Sequence, residues 1–393
     1  MKLPQVVLKK DKEKPLLACH PWVFSGAIDL IDDEIKPGEL VTIYTHNQTY
    51  LGTGYFNPKS QISVRVLTFK EETINAQFFK AKIEQAFSLR KEFLPPKTNA
   101  YRLIHAEGDG IPGLIVDCYG DFLVVQFQTL GIEKLKSFIV EALESVMKPR
   151  GIYERGEERT NSLEGKKSAS QTLAGTQAPE LVQIEEYGRK FFVDIQKGQK
   201  TGFFLDQREN RKLVGEHSKG KRVLNCFSYT GGFSVYAAMG GAKSVTSVEI
   251  SENASRLAKK NFELNHIPDS AEYEFISKDV FDFLREDKAD YDFIVLDPPA
   301  FCKTKGDIGK ASRGYKDISL QAMKRIIPGG LLFTFSCSSH IDPDLFQKII
   351  FAAAKDAKRD VKILLKTSHP WDHPINIYHP EGEYLKGLLC IVN

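Results

Sequence analysis

The sequence predicts an α/β protein with a doubly wound, mostly parallel sheet in its C-terminal half and two smaller units before it. Three patterns support this. From about Phe191 onward, short apolar strands alternate with helical stretches, which is typical of a parallel sheet covered by helices. The first 70 residues hold short alternating segments separated by turns. Between these two regions, helical patterns are mixed with strands.

The composition is that of an ordinary globular protein. The 393 residues, 42% hydrophobic and 27% charged, are enough for two or three domains. No apolar run approaches the roughly 20 residues of a membrane helix, so we expect no membrane span. The N-terminus, MKLPQVVLKKDKEKPLL, is too charged for a signal peptide, so we expect a cytoplasmic location. The net charge of +3 is too small to indicate nucleic-acid binding by itself.

The cysteines and histidines predict neither a metal site nor a disulfide framework. The six cysteines are widely scattered and form no CxxC pair. His369, His373 and His379 lie in a segment where proline follows or adjoins each of them, without the spacing of a helical metal motif. We therefore assign no metal and interpret these histidines as structural groups.

Residues 1–70 predict a small all-β barrel, because segments such as ELVTIYT and QISVRVLTF are broken by PG, GTG and NP turns. Residues 71–190 predict an α+β unit. It contains a helix from Thr73 to about Phe93, two strands around a turn at Tyr119 to Asp121, and a helix from Ile132 to Met147. Residues 160–180 are rich in Ser, Thr, Gly and Ala, so we expect a flexible loop there.

Residues 191–393 predict the catalytic unit. Its strands are RVLNCF, SVTSVEI, YEFISKD, YDFIVLD, LLFTFSC, VKILLK and KGLLCIV, with helical stretches between the first six. The carboxyl ends of parallel strands form the edge of such a sheet where ligands bind. The residues that follow each strand are therefore the first candidates for function.

Three of these strand ends suit a nucleoside. NCFSYTGGFS follows the first strand; Gly231 and Gly232 admit a ligand to the backbone, and the next helix offers N–H donors to an anion. It is not GxGxxG, which disfavours NAD and FAD. Glu249 can accept both ribose hydroxyls, and Asp279 can meet an adenine amino group. A single acid there is more often a cap, but the ordered series indicates S-adenosylmethionine.

The next two strand ends bear on the methyl acceptor. Asp297-Pro298-Pro299 resembles the Asp/Asn-Pro-Pro motif of enzymes that methylate base amino groups. Cys337 lies just past the buried strand LLFTF. A lone cysteine is more often a small buried hydrophobe, but methylation of pyrimidine carbon 5 needs a thiolate that adds to carbon 6. Cys337 therefore favours cytosine carbon 5, and guanine or adenine N-methylation is the alternative.

Seven motifs run along essentially the whole chain: HPWVFSGAI, DIQKGQKTGFFLDQRENR, LNCFSYTGGF, LDPPAF, RGYKDI, FTFSCS and HPEGEYLKG. In them the chain resembles the ribosomal-RNA large-subunit cytosine-5 methyltransferase family. The resemblance implies an N-terminal PUA β-barrel that binds RNA (1–70), a central α+β domain (71–190) and a C-terminal Rossmann-like methyltransferase domain (191–393). It also implies 23S ribosomal RNA as the substrate. The PUA-like domain could instead be a spacer or a dimer surface, so a homodimer stays open.

By this resemblance Cys337 is the nucleophile and Asp297 hydrogen-bonds the cytosine ring near N3. The implied cofactor contacts are Gln207, Arg208, Phe227, Tyr229, Thr230, Gly231, Phe233, Glu249, Asp279, Val280 and Asp297. The chain departs from the larger group of RNA cytosine-5 methyltransferases, which have Asp-x-Pro-Cys after the fourth strand. Ala300 stands at that cysteine, and we interpret Cys302 as structural. The group that removes the carbon-5 proton therefore stays open.

The segment CKTKGDIGKASRGYKD, after the fourth strand, has more basic than acidic residues and could hold RNA phosphates. A solvated loop explains the charge equally well. Phe301 or Tyr315 could stack on an extruded base, and either could be core. The candidate substrate contacts are Pro298, Pro299, Phe301, Lys303, Arg313 and Tyr315. A noncatalytic RNA-binding or ribosome-assembly factor is a further alternative, against which the intact series of site residues argues.

Overall fold

The computed structural model describes residues 3–32, 35–156, 164 and 170–393. The N-terminal region is a six-stranded sheet in the order β2-β6-β5-β4-β1-β3. Its elements are β1 (Gln5–Leu8), α1 (Lys14–Leu17), β2 (Trp22–Phe24), β3 (Ile28–Ile31), β4 (Leu40–Tyr44), β5 (Tyr50–Phe56) and β6 (Ile62–Thr68). Val41 and Ile43 are buried on one face of β4, as the alternating pattern predicts. The predicted small all-β region is confirmed.

The following region is a five-stranded sheet in the order β11-β10-β9-β8-β7, packed against helices. Its elements are α2 (Ala76–Phe93), β7 (Ala100–His105), β8 (Leu114–Tyr119), β9 (Phe122–Phe127), α3 (Leu130–Lys134), α4 (Lys136–Met147), β10 (Gly151–Glu154) and β11 (Gln171–Gly175). Asn75 starts α2, because its side chain accepts a hydrogen bond from the Phe78 amide. Gly120, at φ +59°, makes the predicted turn between β8 and β9. The helix expected from Ile132 to Met147 is two helices.

The flexible loop expected over 160–180 is wrong for part of its length. Strand β11 pairs antiparallel with β10, so these small and polar residues are held by backbone hydrogen bonds that composition does not reveal. Glu164 is also buried, and its carboxylate accepts a hydrogen bond from Asn57 Nδ2 at 2.9 Å. The remainder of the expected loop before residue 170 lies outside the described residues.

A hairpin of β12 (Val182–Glu186) and β13 (Arg189–Val193) follows. The chain divides into two compact units. The first consists of Met1–Ile184, Val193–Leu205 and Trp371–Gly382, and the second of Glu185–Phe192, Asp206–Pro370 and Glu383–Asn393. The division into three domains, with boundaries at residues 70 and 190, stays a prediction.

The second unit contains a seven-stranded sheet in the order β16-β15-β14-β17-β18-β20-β19. Its elements are α5 (Arg208–His217), β14 (Arg222–Cys226), α6 (Gly232–Met239), β15 (Ser244–Val248), α7 (Glu252–Leu264), β16 (Tyr273–Ile276), α8 (Val280–Glu286), β17 (Tyr291–Leu296), α9 (Ile308–Arg325), β18 (Ile326–Ser336), α10 (Pro343–Ala357), β19 (Val361–Thr367) and β20 (Lys386–Val392). Strands β14 to β18 pair in parallel. Strand β20 lies antiparallel between β18 and β19.

The centre of this sheet is covered on both faces. Four successive residues of β17, from Phe293 to Leu296, have no exposed surface, which explains why this strand reads as continuous apolar sequence. Helices α9 and α10 add Ile318, Met323 and Phe346 to the same core. The predicted mixed fold is confirmed. Among the residues described, no helix combines the length and the apolar character that a membrane crossing requires.

Candidate active site

The parallel ladder brings the predicted site residues to one edge of the sheet. The last residues of β14, β15 and β17 lie directly opposite one another. Glu249 and Asp297, the next residues of β15 and β17, therefore lie at one level with the turn that follows β14. Cys337 directly follows β18, the strand that pairs with β17. Four predicted groups are thus assembled at the edge where parallel sheets bind ligands.

The turn after β14 has an unusual backbone. Phe227 and Tyr229 have φ values of +59° and +47°, and Gly231, just before α6, has +78°. Positive φ costs non-glycine residues about 1 to 2 kcal/mol and is concentrated at functional sites. A Cβ on Gly231 would lie 2.9 Å from the Cβ of Ala258. The turn therefore needs glycine both for its φ and for the close approach of α7.

Glu249 is fixed by the backbone around it. It is 7% exposed, and its two carboxylate oxygens each accept one amide hydrogen bond at 2.9 Å, Oε2 from Tyr229 and Oε1 from Ser251. Since a carboxylate oxygen can accept more than one hydrogen bond, both oxygens keep capacity for a diol. The carboxylate is thus held in a fixed orientation suited to a ribose.

Asp279 caps helix α8 with one carboxylate oxygen, and its other oxygen receives no hydrogen bond from the described residues. Its Oδ1 accepts hydrogen bonds from the amides of Phe281 at 2.8 Å and Asp282 at 3.2 Å, so Asp279 does act as the N-cap of this helix. Oδ2 is left for a ligand. Thr230 Oγ1, in the turn after β14, is buried without a hydrogen-bond partner among the described residues. An orphaned hydroxyl and two oriented carboxylates fit a polar nucleoside.

Asp297 is held in an environment that favours its neutral form. Gln207 Nε2 donates to its Oδ1 at 2.8 Å, and Gln207 Oε1 in turn accepts from Asn210 at 2.6 Å. Burial, reinforced by the negative charge of Asp206, raises the pKa of Asp297 to about 7. Near neutral pH this carboxyl can therefore both donate and accept a proton.

Cys337 is partly exposed, and its thiol points towards the carbonyl oxygen of Pro298, with Sγ and O 4.0 Å apart. Lys386, the first residue of β20, lies beside it and donates from Nζ to the Ser338 carbonyl at 2.7 Å. Burial lowers the pKa of Lys386 to about 8, against the opposing influence of Cys337. Sequence reasoning missed Lys386, and the only available signal was its place in the motif HPEGEYLKG.

Tyr315 is placed differently from a base-stacking residue. Its ring has no exposed surface and packs 4.7 Å from the ring of Phe301. Its hydroxyl shares a hydrogen bond with Ser338 Oγ at 2.9 Å. A fully buried ring cannot stack on a base, so direct contact of Tyr315 with the substrate is contradicted; it supports the loop next to Cys337. Cys302 is buried too, and its amide donates to the same Ser338 Oγ at 3.1 Å.

Several other candidate cofactor residues are buried in or near this edge. Phe233 stacks on Phe335 with centroids 5.7 Å apart, which makes it part of the core beneath the glycine turn. Arg208 has no exposed surface and pairs with Glu209 at 3.2 Å. The other buried members of the candidate cofactor set are Gln207, Thr230, Gly231, Glu249 and Val280. Burial of this extent suits residues that shape a pocket.

The basic segment lies on the surface. Lys303, Lys305, Lys310 and Arg313 are exposed, Pro299 is exposed while Pro298 is buried, and Lys316 pairs with Asp356. The first three lysines surround the start of α9, the helix that carries Tyr315 into the core. Within the described part of the chain, no group of three or more His, Cys, Asp or Glu side chains is arranged to hold a metal ion.

Comparison with known proteins identifies the class to which this fold and site belong. A family model described as S-adenosylmethionine-dependent methyltransferase matches residues 117–370, and a PUA-like domain model matches 6–69. A putative S-adenosylmethionine-dependent methyltransferase from Streptococcus mutans superposes over 100% of both chains with a TM-score of 0.85 at 29% identity. A second solved structure, a putative methyltransferase complexed with SAH, gives a TM-score of 0.86 at 29% identity over 100% of both chains.

Curated relatives narrow the class. A protein of Pseudoalteromonas atlantica named ribosomal RNA large subunit methyltransferase I is 44% identical over 99% of each chain. A protein of the same name from Aliivibrio fischeri is 45% identical over 98% of this chain and 99% of its own. The chain therefore belongs to the S-adenosylmethionine-dependent methyltransferases, in the family of the ribosomal RNA large subunit methyltransferase I proteins. Its cofactor is S-adenosylmethionine.

Proposed function

We propose that the protein methylates carbon 5 of a cytosine in ribosomal RNA through a covalent bond between Cys337 and carbon 6. One observation carries the choice of carbon 5: a partly exposed cysteine lies immediately after β18, beside the strand that ends in Asp297. Transfer to an amino group has no use for such a thiol, because the nitrogen attacks directly. The relatives named for the ribosomal RNA large subunit support the substrate class.

Carbon 5 of cytosine is a weak nucleophile, and the two residues change that together. The Cys337 thiolate adds to carbon 6, the 5,6 double bond opens, and the electron pair moves through the ring to N3. Protonated Asp297, whose pKa lies near 7, gives its proton to N3 as this charge develops. Carbon 5 then takes the methyl group, whose bond to the sulfonium sulfur breaks and leaves that sulfur as a neutral thioether. A base, either water or a nearby side chain, removes the carbon-5 proton, which restores the double bond and expels the thiolate, and N3 returns its proton to Asp297.

The cofactor supplies an electrophilic methyl group on a sulfonium centre. We assign the ribose hydroxyls to Glu249 and the adenine amino group to Asp279. The carboxylate of the cofactor is assigned to the start of α6, and Gln207 and Arg208 close the pocket. The side-chain carboxylates of Glu249 and Asp279 are held by backbone amides, so they can orient the cofactor without first reorganising. The other proposed contacts are Phe227, Tyr229, Thr230, Gly231, Phe233, Val280 and Asp297.

For RNA we assign phosphate binding to the exposed Lys303 and Arg313, and base contacts to Pro298, Pro299 and Phe301. The PUA-like domain would supply a second RNA surface. We further propose that the substrate is 23S RNA and that the protein acts in the cytoplasm. A homodimer is the oligomeric state we propose to test.

A second function, methylation of a guanine or adenine nitrogen, is favoured by one feature. Asp297-Pro298-Pro299 resembles the motif of such enzymes, and an aspartate hydrogen-bonded to Gln207 could accept from a base amino group. That reaction would proceed without Cys337. The two functions therefore predict opposite effects of Cys337→Ala on methylation.

The deciding experiment incubates the purified protein with S-adenosylmethionine carrying a tritiated methyl group and with unmodified 23S RNA, followed by nucleoside mass spectrometry. We expect label in 5-methylcytidine with the natural protein, none with Cys337→Ala, and undiminished label with Cys19→Ala. Cys19 is the matched control, since it is the other partly exposed cysteine and lies in the first unit. Label in a methylated purine, unaffected by Cys337→Ala, would reject the proposal in favour of nitrogen methylation.

A further inference from the structure

Lys386 spans the short turn that carries Cys337. It lies directly opposite Ser336, the last residue of β18, in the antiparallel ladder between β18 and β20, and opposite residues of such a pair project to the same face. Its Nζ donates to the carbonyl of Ser338 at 2.7 Å. The lysine therefore contacts the residues on both sides of Cys337, and its charge is fixed beside the thiol.

This ammonium has an unusual setting. Lys386 is 6% exposed, and within the described residues no carboxylate lies at ion-pairing distance from it. Lysine is almost never buried without a partner, because removing its charge from water is costly. Of the ionisable groups around it, Cys337 has the largest influence, followed by Glu383 and Asp342. The turn also holds the Tyr315 hydroxyl, which is bound to Ser338.

We propose that Lys386 is a positioning residue whose ammonium holds the thiolate of Cys337 as an ion pair. The S–H bond breaks, the proton passes to solvent water, and the electron pair stays on sulfur. The ammonium then faces a thiolate, and because Lys386 is itself buried the attraction between the two charges is stronger than it would be in water. Its use in methylation rests on the function proposed above, but the ion pair itself requires neither RNA nor cofactor.

A purely structural role for Lys386 would give a different pH dependence of the reaction of Cys337. If Lys386 only anchored the Ser338 carbonyl, its replacement would loosen the turn without changing the pH at which the thiol reacts. An ion pair makes a second distinction, because arginine keeps the positive charge and methionine keeps only the length of the side chain. The pH profile of Cys337 reactivity therefore separates charge from anchoring.

The test is alkylation of the folded full-length protein with iodoacetamide across a pH series, with the peptide that contains Cys337 quantified by mass spectrometry. For Lys386→Met we expect the pH of half-maximal reaction to rise by about one unit, which is about a tenfold loss of thiolate at neutral pH. For Lys386→Arg we expect the natural profile. The peptide that contains Cys19 is the internal reference, and Lys362→Met, at an exposed lysine of β19, is the matched control.

An unchanged Cys337 profile in folded Lys386→Met would overturn the proposal, as would a Lys386→Arg profile displaced as far as that of Lys386→Met. Circular dichroism establishes that each variant is folded, and Lys386→Gln replaces the methionine variant if that one does not fold. Failure of the cytosine proposal would appear separately, as methylation that survives Cys337→Ala.

Discussion

Asp297 connects the proposed chemistry with the stability of the fold, and Asp297→Asn tests that connection. The amide has nearly the shape of the carboxyl group, and its Oδ1 can still accept the hydrogen bond from Gln207 Nε2. It differs in carrying no charge at any pH. The variant therefore isolates the cost of ionising a carboxyl group in this setting.

The magnitude follows from the difference between the ordinary pKa of 3.8 and the value of about 7 in the folded protein. Between these values the unfolded chain has released the proton while the folded protein retains it, so stability is lost as pH rises through this window. Each pKa unit corresponds to about 1.4 kcal/mol. We therefore expect Asp297→Asn to be more stable than the natural protein by about 2 kcal/mol at pH 5 and by about 4 kcal/mol at pH 8.

The assay is urea unfolding followed by far-ultraviolet circular dichroism at both pH values. Tryptophan fluorescence is unsuitable, because Trp22 and Trp371, the two tryptophans of the chain, lie in the first unit. Asp307→Asn is the matched control, since a hydrogen bond from Thr304 lowers the pKa of Asp307 and reverses the expected sign. Equal stabilisation of Asp297→Asn at pH 5 and pH 8, or a loss at pH 8, would refute the reasoning.

Two further predictions concern ligand binding. Gly231→Ala adds a methyl group 2.9 Å from a neighbouring Cβ at φ +78°, so we expect at least about a tenfold weaker affinity for S-adenosylhomocysteine by calorimetry. Gly220→Ala is the control, since Gly220 has φ +73° but open space around it, and this variant should bind normally. Equal binding by both variants would contradict the clash at Gly231. Lys303→Ala and Arg313→Ala should each lower the salt slope of RNA binding by about one. Lys260→Ala, at an exposed lysine of α7, should leave that slope unchanged, and a slope unaffected by all three changes would exclude the basic segment from the interface.

The elements with strong periodic signals were predictable, and those fixed by distant pairing were not. The run FIVL, Phe293 to Leu296, is continuously apolar because β17 is buried there on both faces, and such a run predicts a buried strand. Strand β11 contains Gln171 and Gly175 and has no apolar pattern, since its stability comes from the ladder to β10. The position of β20 between β18 and β19 is likewise absent from any local pattern, because it depends on the direction in which the chain returns.

The same distinction applies to the site. Glu249, Asp279, Asp297 and Cys337 could be predicted because each follows its own strand, and parallel topology brings such positions together. Lys386 begins an antiparallel strand, so its side chain reaches the site from the opposite chain direction, and no rule about strand ends selects it. Tyr315 shows the reverse case, since an aromatic residue near a ligand edge is equally compatible with stacking and with core packing until burial is known.

Burial has opposite effects on the two ionisable groups that flank the proposed nucleophile. It raises the pKa of Asp297 to about 7 and lowers that of Lys386 to about 8, because each group is kept from its charged form by the loss of water. At neutral pH the acid can therefore still give a proton to N3, while Lys386 is mostly the ammonium that pairs with the Cys337 thiolate. An exposed aspartate would already be ionised at this pH, so the desolvation that destabilises the fold at this edge also makes the proton transfer from Asp297 to N3 possible.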